Sequence, residues 1–119
     1  LSRGGVSEAR AFCRTADDFP DAYPDGPVVD ADDHVWTGLY LGGKVARYSP
    51  DGKLVDSIAI PARDVTKMGF GGQDFATAYV TTATKDMKEA DMAQYPQAGG
   101  LFAFEAPVKG FAQARAKLS

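Results

Sequence analysis

The stretch Val35 to Ile60, VWTGLYLGGKVARYSPDGKLVDSIAI, decides the fold. Val35-Trp36-Thr37-Gly38-Leu39-Tyr40 reads as a strand, and Leu41-Gly42-Gly43 as the hairpin turn that follows it. Lys44-Val45-Ala46-Arg47-Tyr48 alternates polar and apolar side chains, the period of a half-buried strand. Ser49-Pro50-Asp51-Gly52 carries Pro and Gly where a β-turn places them. Lys53 to Ile60 is a further strand, stopped by Pro61. Upstream, Pro27-Val28-Val29-Asp30 reads as a short strand and Asp30-Ala31-Asp32-Asp33 as a turn, because Asp tolerates turn geometry and bonds its own backbone. Four strands joined by tight turns make one antiparallel meander, a unit spanning 25–60.

The pattern then starts again over 66–104. Lys67-Met68-Gly69-Phe70, Ala78 to Thr82 and Leu101 to Phe104 read as strands. Residues 84–97, with Asp86, Met87, Glu89, Ala90, Met92 and Ala93, read as a helical insertion. Overlaying the halves sets Trp36 on Tyr79 and Gly42 on Gly99, the insertion making up the extra length. A four-stranded unit recurring every ~40–45 residues is the signature of a β-propeller blade. The expected fold is therefore all-β: a single partial propeller domain over 1–119, about two and a half four-stranded antiparallel blades. The half blade is an outer strand over Ala9–Arg14, followed by an acidic loop from Thr15 to Pro24. Propellers need roughly 4–8 blades. An open arc leaves unpaired edges, so the remainder of a longer chain, or another copy, is expected to complete it. Leu1 in place of Met fits that expectation.

Composition removes several function classes. Among 119 residues the net charge is −3 and no basic cluster occurs, which argues against nucleic-acid binding, where phosphates demand Lys and Arg. There is no apolar run of membrane-spanning length and no apolar signal-peptide core, so no membrane contact and a cytoplasmic location are expected. One cysteine, Cys13, and one histidine, His34, exclude a disulfide framework and Cys- or His-rich metal sites. Gly-x-Ser-x-Gly, a Walker A loop and Gly-x-Gly-x-x-Gly are all absent.

The order Tyr23-Pro24-Asp25-Gly26, Val29-Asp30-Ala31, His34-Val35-Trp36, Gly42 to Tyr48 and Pro50-Asp51-Gly52-Lys53 resembles the SMP-30/gluconolactonase/regucalcin family. Val65-Thr66-Lys67, Phe70-Gly71-Gly72, Tyr79 to Ala83 and Pro96 to Phe102 continue the resemblance, which covers nearly all of 23–110. It implies a six-bladed propeller, of which this chain is the C-terminal part. One divalent cation, calcium or zinc, would sit in the central channel, and the activity would be hydrolysis of a sugar lactone, a carboxylic-ester hydrolysis that needs the missing N-terminal part. Of the family's metal ligands only the Asp of Pro-Asp-Gly maps here, onto Asp25, as ligand and general base. The ligating Glu and Asn and the substrate-binding Arg and Asn fall outside this chain. Pro27 departs from the family pattern, which has an apolar non-proline residue there, and an edge strand tolerates the missing N–H.

A carboxylate suits a hard cation, and a cation there polarises a lactone carbonyl and acidifies bound water. Read from local residues alone, Asp25 is a turn residue of Pro-Asp-Gly; the family resemblance is what reverses that reading. The overlay places Thr66 and Lys67 at the position of Asp25 in the next unit, as candidate substrate-lining residues, with Lys67 alternatively a solvated lysine. The alternative function is a non-catalytic truncated propeller or binding module. Trp36, Phe70, Tyr79 and Phe102 are expected to pack between blades, and His34 to be exposed.

Overall fold

The computed structural model describes residues 8–113 and 115. Two antiparallel sheets form the framework. The first contains β1 (Tyr23–Val29), β2 (Val35–Tyr40), β3 (Lys44–Tyr48) and β4 (Leu54–Ala59), paired in sequence order. The second contains β5 (Asp64–Gly71), β6 (Thr77–Ala83) and β7 (Leu101–Glu105), also in order. A short helix, α1 (Glu89–Gln94), lies between β6 and β7. No helix among the described residues is long and apolar enough to cross a membrane.

Alternation along β2 explains the layering. Trp36 faces the second sheet and joins Val45, Ile60, Ala62, Val65, Met68, Ala78 and Val80 in one buried cluster. Its ring lies 6.5 Å from that of Phe104 across the interface. Leu39 faces the other way, with Ala46, Tyr48 and Ala22, under Cys13 and Phe19 of the segment before β1. With both faces covered, β2 is buried from Trp36 to Leu39, the pattern of an interior strand. The sheets approach closely at Gly38, where a Cβ would stand 2.4 Å from the Thr66 carbonyl oxygen.

Several expectations need correcting. Ala9–Arg14 forms no strand; the segment runs irregularly and packs through Cys13, leaving Phe12 exposed. Tyr23 and Pro24, read as loop, open β1, so Pro-Asp-Gly lies inside a strand and not in a turn. Gly26 takes φ 42° within a bulge between Asp25 and Val28. The second sheet has three strands among the described residues, where the repeat predicts four. The overlay is also out of register. A matching bulge interrupts β5 between Val65 and Met68. Aligned on the bulges, Trp36, opposite Val28, corresponds to Val80, opposite Met68, one residue beyond Tyr79. Tyr79 consequently points away from the interface and is exposed, while Trp36 is buried and Phe70 and Phe102 pack against the core as expected.

Asp30 closes β1 with a wholly buried carboxylate. It accepts hydrogen bonds from Trp36 Nε1 (2.9 Å), Arg47 Nε (2.8 Å) and the backbone N–H groups of Asp32 (2.9 Å) and His34 (3.1 Å). One carboxylate thus ties the first three strands and the β1–β2 turn together. Burial alone would raise its pKa; the bonds from Arg47, Trp36, His34 and Asp32 outweigh it and hold the carboxyl below the usual range.

Candidate functional site

Asp25 lies on β1, the edge strand of its sheet, immediately before the bulge. Its neighbours leave it open: Gly26 has no side chain, and Pro27 has no N–H to offer. The residue is exposed, and among the described residues its carboxylate has no hydrogen-bond or ion-pair partner, whereas its backbone is held by Thr37. Asp25 lines a cavity of about 390 Å³ with Pro24, Pro27, Thr37 and Tyr48.

The other two sequence-predicted positions lie on β5. Counted from the bulges, Asp25 corresponds to Val65, and Thr66 and Lys67 to Gly26 and Pro27. Thr66 is half-buried, its Oγ1 2.7 Å from Thr81 Oγ1 and 3.0 Å from the Thr81 carbonyl oxygen, to which it donates. Lys67 is exposed. Its stem runs beside Gly26, where a Cβ would come 2.6 Å from the Lys67 Cβ. The base of the Lys67 side chain therefore packs on Gly26, the residue after Asp25, across the β1–β5 contact. Lys67 itself lines a separate cavity of about 380 Å³ with Pro27, Val28 and Phe70.

No group of three His, Cys, Asp or Glu residues among the described residues is arranged to hold a metal ion. The donor chemistry nonetheless fits one ligand of a hard-cation site. Calcium takes six to eight oxygens, and Asp25 is an unengaged carboxylate, while Asp30 is spent on Trp36 and Arg47. His34 is half-buried rather than exposed, with Nδ1 2.9 Å from the Asp32 carbonyl oxygen, which ties it to the turn. Cys13 sits half-buried against the second apolar cluster; burial, then Asp18 and Asp17, push its thiol pKa up, away from a reactive thiolate.

The loop carrying α1 is fastened at the end of the sheets where Asp25 lies, since Tyr40 pairs with Tyr23 two residues from the Asp25–Gly38 pair. Tyr40 Oη donates to Asp86 Oδ2 at 2.7 Å, and this bond, with burial and Asp64, pushes the phenol pKa up to about 12. Arg63 grips the buried Asp64 through two bonds of 2.8 and 2.9 Å and reaches Asp91 Oδ2 at 3.1 Å. Asp91 in turn accepts from the Lys88 N–H that begins α1, at 2.9 Å. The sequence reading missed Thr37, Asp30 and this network. The only available signal was the residue types themselves, because every partner set spans different strands or loops.

Residues 1–84 match the model of the SMP-30/Gluconolactonase/LRE-like region. Among curated relatives, the chain is 37% identical to the 6-deoxy-6-sulfogluconolactonase of Pseudomonas putida over 76% of its own length and 31% of that protein's. It is 36% identical to the L-arabinolactonase of Azospirillum brasilense, over 94% of this chain and 36% of the relative. It is also 36% identical to regucalcin of Gallus gallus, over 86% and 34%. The chain thus spans about a third of the length of these relatives. Of solved structures, a calcium-binding protein, regucalcin, from Agrobacterium tumefaciens superposes with a TM-score of 0.88 at 27% identity, covering 95% of this chain and 38% of that one. A luciferin-regenerating enzyme superposes with a TM-score of 0.83 at 27% identity, covering 98% and 39%. The chain is all-β, and its two sheets are blades of a β-propeller.

Proposed function

The chain belongs to the SMP-30/gluconolactonase/LRE-like family, and on that premise we propose that it supplies the Asp25-bearing arc of a metal-dependent sugar-lactone hydrolase. The observation that carries the reading is the open Asp25 carboxylate on edge strand β1, inside the Pro-Asp-Gly segment. The lactonase names of two relatives support the substrate class, and the calcium-binding name of a structural neighbour supports the ion.

Asp25 would hold one face of a divalent cation, calcium by preference for oxygen, which when bound would polarise the lactone carbonyl and lower the pKa of water. The chain's own residues do the rest of what it contributes. Asp25 presents a carboxylate to the ion and accepts the proton of the attacking water. Water adds to the carbonyl carbon, the ring C–O bond breaks, and the proton passes from Asp25 to the departing ring oxygen, which releases the hydroxy acid and restores the carboxylate. The unobstructed approach past Gly26 and Pro27 keeps Asp25 accessible, and Lys67 brings positive charge toward a lactone or carboxylate oxygen. The remaining ligands belong to the partner that completes the ring, either the rest of a longer polypeptide or another chain.

Asp25→Ala in the complete protein tests this. Lactone hydrolysis in the presence of calcium should fall to background. Turnover equal to the parent's, with the ion present, refutes the role of Asp25, whereas no turnover by the complete parent protein leaves a non-catalytic propeller module as the reading.

A further inference from the structure

The ladder between β1 and β2 breaks just after Asp25. Its pairing passes from Asp25–Gly38 directly to Val28–Trp36, leaving Gly26 and Pro27 unpaired. One buried hydroxyl meets both backbone polar groups of Asp25 at that break. Thr37, 5% exposed, has Oγ1 accepting from the Asp25 N–H at 3.2 Å and 2.7 Å from the Asp25 carbonyl oxygen, to which it donates. The Gly38 carbonyl, 3.0 Å away, is a second acceptor for the same proton.

The second blade repeats the device with the grip two positions further along the strand. Its ladder passes from Val65–Thr82 to Met68–Val80. Thr81 follows Val80 as Thr37 follows Trp36, so the two threonines are equivalent. Thr81 Oγ1, however, accepts from the Lys67 N–H at 3.2 Å and lies 3.3 Å from the Lys67 carbonyl oxygen. Lys67 is the counterpart of Pro27. Thr81 Oγ1 also lies 2.7 Å from Thr66 Oγ1, the counterpart of Gly26. Proline has no N–H and glycine no hydroxyl, so the threonine of the first blade finds neither donor there and holds Asp25 instead.

We propose that Thr37 is a positioning residue for Asp25, and that Pro27 directs its grip there by removing the competing donor. The proposal rests on Asp25 being the working carboxylate. A bulged edge strand with two unpaired residues has few restraints on its backbone; the hydroxyl fixes the peptide on both sides of the Asp25 Cα, and with it the origin of the side chain. Partners that orient a metal ligand are typically worth about 10- to 100-fold in metal affinity.

The test compares Thr37→Val, Thr37→Ser and Asp25→Asn in the complete polypeptide. Two readouts are used: amide hydrogen exchange at residue 25 without added ion, and calcium affinity by titration. Thr37→Val should speed exchange at residue 25 by about two- to tenfold, the worth of one hydrogen bond, and weaken calcium binding by about tenfold or more. Thr37→Ser, which keeps the hydroxyl, should restore both. Unchanged exchange in Thr37→Val overturns the grip itself. Faster exchange with undiminished calcium affinity, while Asp25→Asn loses the ion, overturns the positioning role but leaves Asp25 as ligand. Undiminished affinity in Asp25→Asn overturns the ligand role and the proposal with it.

Discussion

Asp30→Ala is the substitution from which the fold has most to lose. It removes a wholly buried carboxylate and leaves three kinds of donor behind: the Trp36 indole N–H, the Arg47 guanidinium, and the N–H groups of Asp32 and His34. The turn amides are partly exposed and can turn to water. The indole cannot, because Trp36 is wholly buried, and the Arg47 side chain is only 14% exposed. A stranded buried donor costs about 1–3 kcal/mol, and breaking a buried ion pair by removing one partner costs roughly 3–5 kcal/mol. These overlap rather than add, so the expected loss is about 3–5 kcal/mol. With a urea slope of about 2 kcal/mol/M, the unfolding midpoint should fall by roughly 1.5–2.5 M. The fluorescence of Trp36, the sole tryptophan, reports the transition. Asp30→Ala with Arg47→Met should cost less than the two single losses together. The pH dependence has a definite sign. Because the folded carboxyl titrates below its ordinary 3.8, its contribution is complete above that value and disappears as pH falls through the lower folded value. A loss under about 1 kcal/mol, or additive single and double variants, would refute the account of Asp30 as the tie between β1, β2 and β3.

Gly38→Ala should destabilise by about 1–3 kcal/mol, the usual cost of overpacking, because the new Cβ meets the Thr66 carbonyl of the facing sheet; an unchanged denaturation midpoint would contradict the close approach of β2 and β5. Asp86→Asn should return one tyrosine from about 12 toward 10.0 in an ultraviolet titration, since the Asp86 bond is the largest cause of the Tyr40 shift; an unaltered titration curve would mean that the loop carrying α1 is not fastened through Tyr40.

What the sequence disclosed was local chemistry. Ser49 to Gly52 forms the expected turn, with the Gly52 N–H bonded to the Ser49 carbonyl at 2.8 Å, because the turn is made by its own residues. β2, β3 and β4 follow from period and punctuation for the same reason. Asp30 was legible as the start of a turn, but not as a buried ligand of Arg47, which is seventeen residues away on another strand. Pro24-Asp25-Gly26 has turn composition, yet β1 continues through it: Gly26 absorbs the positive φ in a bulge, and the stem of Lys67 packs against it. The repeat overlay falls one residue out because it sets Trp36 on the aromatic Tyr79, whereas strand pairing makes Val80, opposite Met68, the counterpart of Trp36, opposite Val28. Ala9–Arg14 has strand composition but no strand beside it among the described residues, so it packs as an irregular cover. At the site, Asp25 was reached through the family resemblance; Thr37 was not, because a threonine in a strand reads as ordinary β composition.

The central claim is that Asp25 holds a divalent cation in a completed propeller. Native mass spectrometry of the intact particle, parent and Asp25→Asn, with and without a chelator, tests it most directly. The account predicts a particle much heavier than this chain, carrying one chelatable divalent ion that Asp25→Asn no longer retains. A metal-free particle with the mass of this chain alone, or an ion kept equally well by Asp25→Asn, would contradict it.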